Sequence, residues 1–475
     1  MKTFLILCYF STWLAIPFLL KLKKRPAATL AWLWTIIFIP FLGPLVYFCI
    51  GTDRLKRKRL QRRQLFSAHH LRRPSSASTS DESTSLLLKQ LPKSDHQFFR
   101  LLSRLNQLPV SSASEIRVLC DAVQFYPALE EEIRRAKHYI HIEFYTCNSD
   151  PSGVRFLGWL TAAAQRGVKV RLMLDEMGSH SFNEKLLVDL LKAGGQFSWF
   201  QSFDPKRYRF FFNLRNHRKL QILDGKTAFV GGMNIGDDYL GLNPKIGTWR
   251  DIQVQVNGPI ASELQEVFAD DWFFATGEKL DDPGYYPTQP KEVKNPVLIV
   301  LGGPDIRNEP ISKSVVSLLN EARDRVWISA GYFVPDDILL TALEIAASRG
   351  VDVRLLISGK NDHPFVVTVG RSYYGQLLTA GVRIFEYGEG MYHSKVALAD
   401  DCWSMVGSAN LDYRSMRLNF ELNLLFHAPE QNKNLADIFE RDFNVSREID
   451  EKTFSQRSGK EKAMECLLRP LSPML

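Results

Sequence analysis

At 475 residues the chain is too long for one ordinary core, so two domains or a duplicated domain are expected, and 45% hydrophobic residues suit a globular protein with some membrane contribution. The formal charge of +8 is unevenly placed: residues 1–65 hold twelve Lys/Arg against Asp53, a net of +11, which leaves −3 for residues 66–475. A slightly acidic main body argues against a basic nucleic-acid face spread over it, so no nucleic-acid partner is expected.

Residues 3–20 and 26–52 are free of charge apart from their flanks, and each run is about long enough to cross ~30 Å of hydrocarbon as a helix. They predict a two-helix transmembrane hairpin over 1–52. No A-x-A-like cleavage site follows the first run, which sets it apart from a signal peptide. The turn between the runs carries four basic residues (Lys21, Lys23, Lys24, Arg25), whereas Lys2 and the flank at 54–63 together carry eight. That bias places both termini and the main body inside the cell. The same flank also suits anionic head groups.

Residues 75–85, SSASTSDESTS, read as a linker, and 53–110 as basic flank plus linker. Beyond it the pattern alternates. The stretches 139–146 and 168–175 are strand-like, and 154–167 between them has helical apolar spacing that ends at Gly167. At 206–217, KRYRFFFNLRNH interleaves cations and aromatics, as a loop at head-group depth would. The rhythm then returns, with strands at 325–334 and 351–358 around a helix at 338–350. An α/β fold with mixed sheets follows.

The return is a repeat. AAQRGVKVRLML matches AASRGVDVRLLI 183 residues later; RDIQVQVNGP matches FELNLLFHAP after 170, and FADDW matches FERDF after 171. Between these anchors, NHRKLQILDGKTAFVGGMN (216–234) matches YHSKVALADDCWSMVGSAN (392–410) after 176. Four anchors in one order with drifting offsets indicate duplicated halves at 111–290 and 291–475.

Both central stretches read H-x-K-x4-D-x6-G-[G/S]-x-N. Side chains two apart on a strand share a face, so His217 and Lys219 point together, as do His393 and Lys395. An imidazole beside an ammonium suits a phosphate. Gly231, Gly232 and Gly407 would let backbone approach a ligand, and Asn234, Ser408 and Asn410 would add neutral donors. Asp224 and Asp400 complete each catalytic motif, although five residues past the lysine they fit a turn that braces the site. Two histidines permit covalent phosphoryl transfer: one attacks phosphorus, while the other protonates the leaving alkoxide and then takes a proton from the incoming hydroxyl. This chemistry needs no metal and no cofactor. The six cysteines include no C-x-x-C pair, and no disulfide framework or zinc cluster is visible.

The paired H-x-K-x4-D motifs resemble those of the phospholipase D superfamily. With AWLWTIIFIPFLGPLVYFCIG, HIEFYT, RLMLDEMGS, WRDIQVQVNGP, GYFVPDD and DYRSMRLNFELN, the chain is similar to bacterial cardiolipin synthases over nearly its whole length. The resemblance implies two phospholipase D-like halves sharing one active site at the bacterial inner membrane. It also implies condensation of two phosphatidylglycerols into cardiolipin and glycerol through a phosphatidyl-histidine, with His217 as nucleophile and His393 as general acid and base. Glu421 falls where that family places an acid that orients a catalytic histidine. The first half departs from the pattern: position 245 is Lys, GLNPKIGTW reads as an insertion, and the repeat sets Asp251 opposite Glu421. Hydrolysis to phosphatidic acid, a nuclease on the same fold and an inactive lipid-binding scaffold are the competing readings. Acceptor, acyl-chain preference and oligomeric state stay open.

Overall fold

The computed structural model describes residues 16–17, 19–21, 26–39, 42–47, 91–106, 108, 110–200, 215–287, 294–306, 308–360 and 364–474. Most of the first apolar run, the basic flank, the 75–85 linker and the 206–214 part of the aromatic-cationic loop lie outside them. The described residues fall into an N-terminal unit and a main unit from residue 91 onward.

In the N-terminal unit Pro26–Phe38 is a helix of 13 residues, with a short helix Leu42–Val46 after it. Thirteen residues rise only about 20 Å. Among the described residues no helix is long and apolar enough to cross a membrane. The longer helix nonetheless leaves Leu30, Trp34, Ile37 and Phe38 exposed, with Trp34 stacked on Phe38 at 4.9 Å.

The main unit is built from two sheets of one topology. In the first, the order is Glu115–Cys120, Ile252–Asn257, Thr227–Gly231, Leu220–Leu223, Tyr139–Phe144, Lys169–Leu174, Gln196–Trp199. In the second, the order Pro296–Gly302, Glu421–His427, Trp403–Gly407, Val396–Ala399, Arg325–Ala330, Asp352–Lys360, Arg383–Tyr392 repeats it strand for strand. Within each seven-strand order four antiparallel pairings are followed by two parallel ones. The parallel pairs are joined by helices, as a βαβ crossover requires. Helix Pro151–Gln165 starts where Asp150 accepts from Gly153 N at 3.0 Å, and helix Asp337–Ser348 starts where Asp336 accepts from Leu339 N at 3.0 Å. Past their ends Gly167 (φ 88°) and Gly350 (φ 86°) take the left-handed conformation that stops a helix.

Every residue of the motif strands is buried, and alternate side chains enter different cores. Leu220 and Ile222 enter a core shared by both sheets with Val254, Leu398, Val406 and Leu424, and helices Pro259–Thr276 and Pro429–Asn444 close it. Leu223 and Phe229 turn instead to the helix layer of the first half, and Ala397 and Met405 to that of the second. The halves are therefore fused by an apolar interface.

Two boundaries differ from expectation. Residues 91–106, assigned to the linker, are folded: helix His96–Asn106 buries Phe98, Phe99 and Leu102 in the core of the second half. Apolar residues at that spacing form a helical stripe. Ser111–Ser112 pairs with Pro296 and Val297, and Thr248–Arg250, which begins at the end of the apparent insertion, pairs in parallel with Gly390–Tyr392. Segments of the first half thus complete the sheet of the second.

Candidate active site

His217 and Lys219 lie at the entrance of strand Leu220–Leu223, and His393 and Lys395 at the entrance of Val396–Ala399. All four side chains are buried. The backbones cross between halves: His217 N donates to Phe420 O at 2.9 Å, and His393 N to Arg250 O at 2.8 Å. One residue further on stand the two carboxylates. His217 Nδ1 donates to Glu421 Oε1 and Oε2, both at 3.0 Å, and His393 Nδ1 to Asp251 Oδ2 at 2.7 Å. Each imidazole is thus oriented by an acid from the opposite half. With Nδ1–H committed to an acid, any proton or phosphoryl group that a ring exchanges passes through Nε2.

The two acids are supported differently. Ser408 Oγ donates to Glu421, accepts from Leu422 N at 3.0 Å, and Asn419 Nδ2 adds a donor at 3.2 Å. In the first half Gly232 replaces Ser408. A Cβ there would stand 2.2 Å from Asp251 Oδ1, so the shorter acid occupies the space that the missing side chain leaves. The glycine and the aspartate are one substitution in physical terms.

Electrostatics separate the dyads. Burial opposes ionisation of Glu421, but His217, Lys219 and Ser408 more than offset it and hold its carboxyl below the usual range. Burial drives His217 down to about 4 against the pull of Glu421, so its ring is neutral near pH 7. Asp251 is pushed up to about 6 by burial, with Lys395 and Lys219 opposing. Lys219 is lowered to about 7, by burial first; Lys395 adds to the fall, and Glu421 and Asp251 resist it. One lysine therefore senses its counterpart and both acids, which gathers the two motifs into a single pocket. Lys219 Nζ donates to His217 O at 2.8 Å and lies 5.2 Å from the Tyr145 ring; Lys395 Nζ donates to His393 O. An ammonium has three hydrogens, so the bond to His217 O leaves Lys219 donors for a phosphate.

The other residues singled out in the sequence are placed differently. Asp224 (φ 52°) and Asp400 (φ 50°) sit in the hairpin turns at the far ends of the motif strands, roughly 20 Å from the histidines at ~3.3 Å per residue. Asp224 accepts from Lys137 N, His138 N and Tyr139 N at 2.8, 2.8 and 2.9 Å; Asp400 accepts from Arg323 N, Asp324 N and Arg325 N at 3.2, 2.9 and 3.2 Å. Neither stands among the reacting groups. Asp224→Ala is expected to lower stability by about 1–3 kcal/mol by orphaning these amides, with turnover per folded molecule little changed. Thermal melts and active-site titration check this; a turnover loss at unchanged melting temperature would return Asp224 to the chemistry.

Gly231 and Gly407 do not admit a ligand. A Cβ would stand 2.4 Å from Gln253 Oε1 in the first case and 2.1 Å from Asn423 Oδ1 in the second. These side chains accept from Met233 N at 3.3 Å and from Ser408 N at 3.1 Å. Asn234 is spent on Thr146 N (3.0 Å) and Tyr239 Oη (3.1 Å), and Ser408 on Glu421, so both brace the pocket rather than offer free donors. Asn410 is buried, with Oδ1 unpartnered.

Sequence reasoning missed the braces behind the dyads. Arg218 forms a buried ion pair with Asp271, and its Nε donates to Glu421 O at 3.3 Å. Arg250 Nε donates to Asp442 at 3.1 Å and its Nη1 to Asp121 at 2.7 Å. The signal was present: Asp271 and Asp442 are the aligned acids of FADDW and FERDF. Tyr145 and Trp249, whose rings lie 4.8 Å from His217 and 5.1 Å from His393, carry no such mark.

Comparison with known proteins bears on this pocket. A family model described as cardiolipin synthase, PLD-like domain, matches residues 129–272 and 315–443, which contain both motifs and both acids. The chain belongs to the cardiolipin synthase family. A second model, phospholipase D-nuclease N-terminal, matches residues 10–51. A cardiolipin synthase of Geobacillus thermodenitrificans is 36% identical over 97% of this chain and 91% of its own length. A probable cardiolipin synthase of Bacillus subtilis is 33% identical over 99% and 93%. Among solved structures, phosphatidylserine synthase from Haemophilus influenzae shares the fold with a TM-score of 0.57 at 17% identity, covering 79% of this chain and 97% of that one. The duplicated phospholipase D-like architecture of this family member is therefore shown at the level of both sequence and fold.

Proposed function

We propose that the chain is a phosphatidyltransferase, a cardiolipin synthase that moves a phosphatidyl group from one phosphatidylglycerol to another and releases glycerol. The observation that carries the mechanism is the crossed pairing of His217 with Glu421 and of His393 with Asp251. His217, neutral and with Nε2 bare, attacks phosphorus, and the bond to the glycerol oxygen breaks as His393 Nε2–H protonates it. The glycerol hydroxyl of the second lipid then gives its proton to His393 Nε2 and attacks the same phosphorus. The phosphorus–nitrogen bond breaks, His217 is regenerated, and cardiolipin is released. Lys219 and Lys395 stabilise the charge that gathers on the phosphoryl oxygens.

The substrate is water-insoluble, which fits a membrane-anchored enzyme. The uncharged runs at 3–20 and 26–52 and the exposed Leu30, Trp34, Ile37 and Phe38 support an anchor in lipid. The Lys/Arg bias supports a multi-pass arrangement in the bacterial inner membrane with the catalytic unit on the cytoplasmic side, facing phosphatidylglycerol and other anionic lipids. Purified protein given phosphatidylglycerol in mixed micelles is expected to yield cardiolipin and glycerol in equal amounts by mass spectrometry. Phosphatidic acid with glycerol would instead mean hydrolysis, and no product would mean a scaffold; either overturns the proposal.

A further inference from the structure

We propose that Asp95, Cys402 and His427 form a structural site for a divalent first-row metal of zinc-like preference, at the end of the second sheet remote from the imidazoles. A carboxylate oxygen, a thiol sulfur and a ring nitrogen of these residues lie within 4.8 Å of one another, the one such trio among the described residues. His427 Nε2 is 3.7 Å from Asp95 Oδ2, too long for a direct hydrogen bond. Ligands of one tetrahedral zinc stand about 3.3–3.6 Å apart, so an ion needs to draw the trio in by no more than about 1.5 Å.

The fold brings the donors from three elements. Asp95 ends the turn Lys93–Asp95 that leads into helix His96–Asn106. Cys402 lies in the hairpin between Val396–Ala399 and Trp403–Gly407, and His427 ends strand Glu421–His427. Trp403 is in register with His427, and Ala428 N donates to Cys402 O at 3.1 Å, which sets thiol and imidazole side by side. The Trp403 ring packs edge-on against His427 at 5.1 Å and against Phe98 at 4.9 Å, so the helix after Asp95 is held to the same spot.

The local field favours a cation. Besides Asp95, the carboxylates of Asp400 and Asp401 stand two and one residues before Cys402 in the same hairpin and act on it electrostatically. A bound metal replaces the thiol proton: M²⁺ takes Sγ⁻, one H⁺ is released, and the fourth position is left to water. A mixed thiolate, imidazole and carboxylate set suits zinc and cobalt better than magnesium or calcium. Glu421 and His427 close opposite ends of one strand, about 20 Å apart at ~3.3 Å per residue. The ion therefore pins the entry helix to the sheet and takes no part in transfer.

The test uses untagged full-length protein, stripped of metal and titrated with Co²⁺, then with Zn²⁺. One equivalent of Co²⁺ is expected to give a sulfur-to-cobalt charge-transfer band with tetrahedral d–d bands, and Zn²⁺ to displace it and raise the melting temperature. Cys402→Ser is expected to lose the charge-transfer band and the Zn²⁺-dependent shift while forming cardiolipin at the wild-type rate. His427→Gln should weaken Co²⁺ binding at least tenfold and gives a second readout should Cys402→Ser fold poorly. Absence of the band in wild type, or its persistence in Cys402→Ser, overturns the site.

Discussion

Removing either catalytic imidazole is expected to abolish cardiolipin formation, and the two losses should differ in kind. For His217→Ala a fall of about 10⁴-fold or more follows, since the covalent route disappears with the nucleophile. No phosphohistidine should be trapped on quenching. For His393→Ala the fall should be on the order of 10²–10⁴-fold, because a proton is still needed on departing glycerol. A phosphatidyl ester of p-nitrophenol separates the roles, as nitrophenolate leaves without an acid. With it, His393→Ala is expected to show a near-normal burst and to accumulate the phosphorylated enzyme, whereas His217→Ala shows no burst. A neutral ring, which burial favours at His217, is the form that can attack phosphorus. A burst from His217→Ala and none from His393→Ala would exchange the roles, and near-normal synthesis by either variant would end the shared-pocket mechanism.

Much of this site was legible before any coordinates. Local rules carried the elements: apolar spacing located the helices at 151–165 and 337–348 to within a few residues, and the glycines at 167 and 350 marked their ends. The repeat carried the pocket, because one histidine per half is useless unless the halves meet. What stayed hidden depends on long-range register. Nothing in the spacing of His217 and Glu421 shows that they pair across the interface, or that Asp251 serves His393 in return. The motif glycines were misread for the same reason: the side chains they admit, Gln253 and Asn423, come from a neighbouring strand. Asp224 and Asp400 show the converse. Their motif membership suggested chemistry, while their position in a turn showed bracing, and the turn was the better guide.

The crossed dyads carry the second large prediction. Glu421→Gln keeps the shape of the side chain but removes the anion that holds His217 Nδ1–H, and it should lower kcat by about 10²–10⁴-fold, as loss of an orienting carboxylate does in other dyads. If Glu421 acts through His217 alone, adding Glu421→Gln to His217→Ala should cost almost nothing further, whereas adding it to His393→Ala should cost more. A pH profile gives a readout that simple misfolding would not. Lys219 is protonated below its pKa of about 7 and loses its charge above it, so kcat/KM of the wild type is expected to decline on the alkaline side from near pH 7. Glu421 favours the charged ammonium, so its removal lowers the lysine pKa further. The alkaline limb of Glu421→Gln should therefore move to lower pH. Asp251→Asn removes a smaller share of the same field and should shift the limb less, while acting on His393 in the double-mutant cycle. A limb that stays in place in Glu421→Gln, or a coupling of Glu421 to His393 in preference to His217, would mean that the carboxylates serve their own halves and that the pairing across the interface is not how this enzyme holds its two rings.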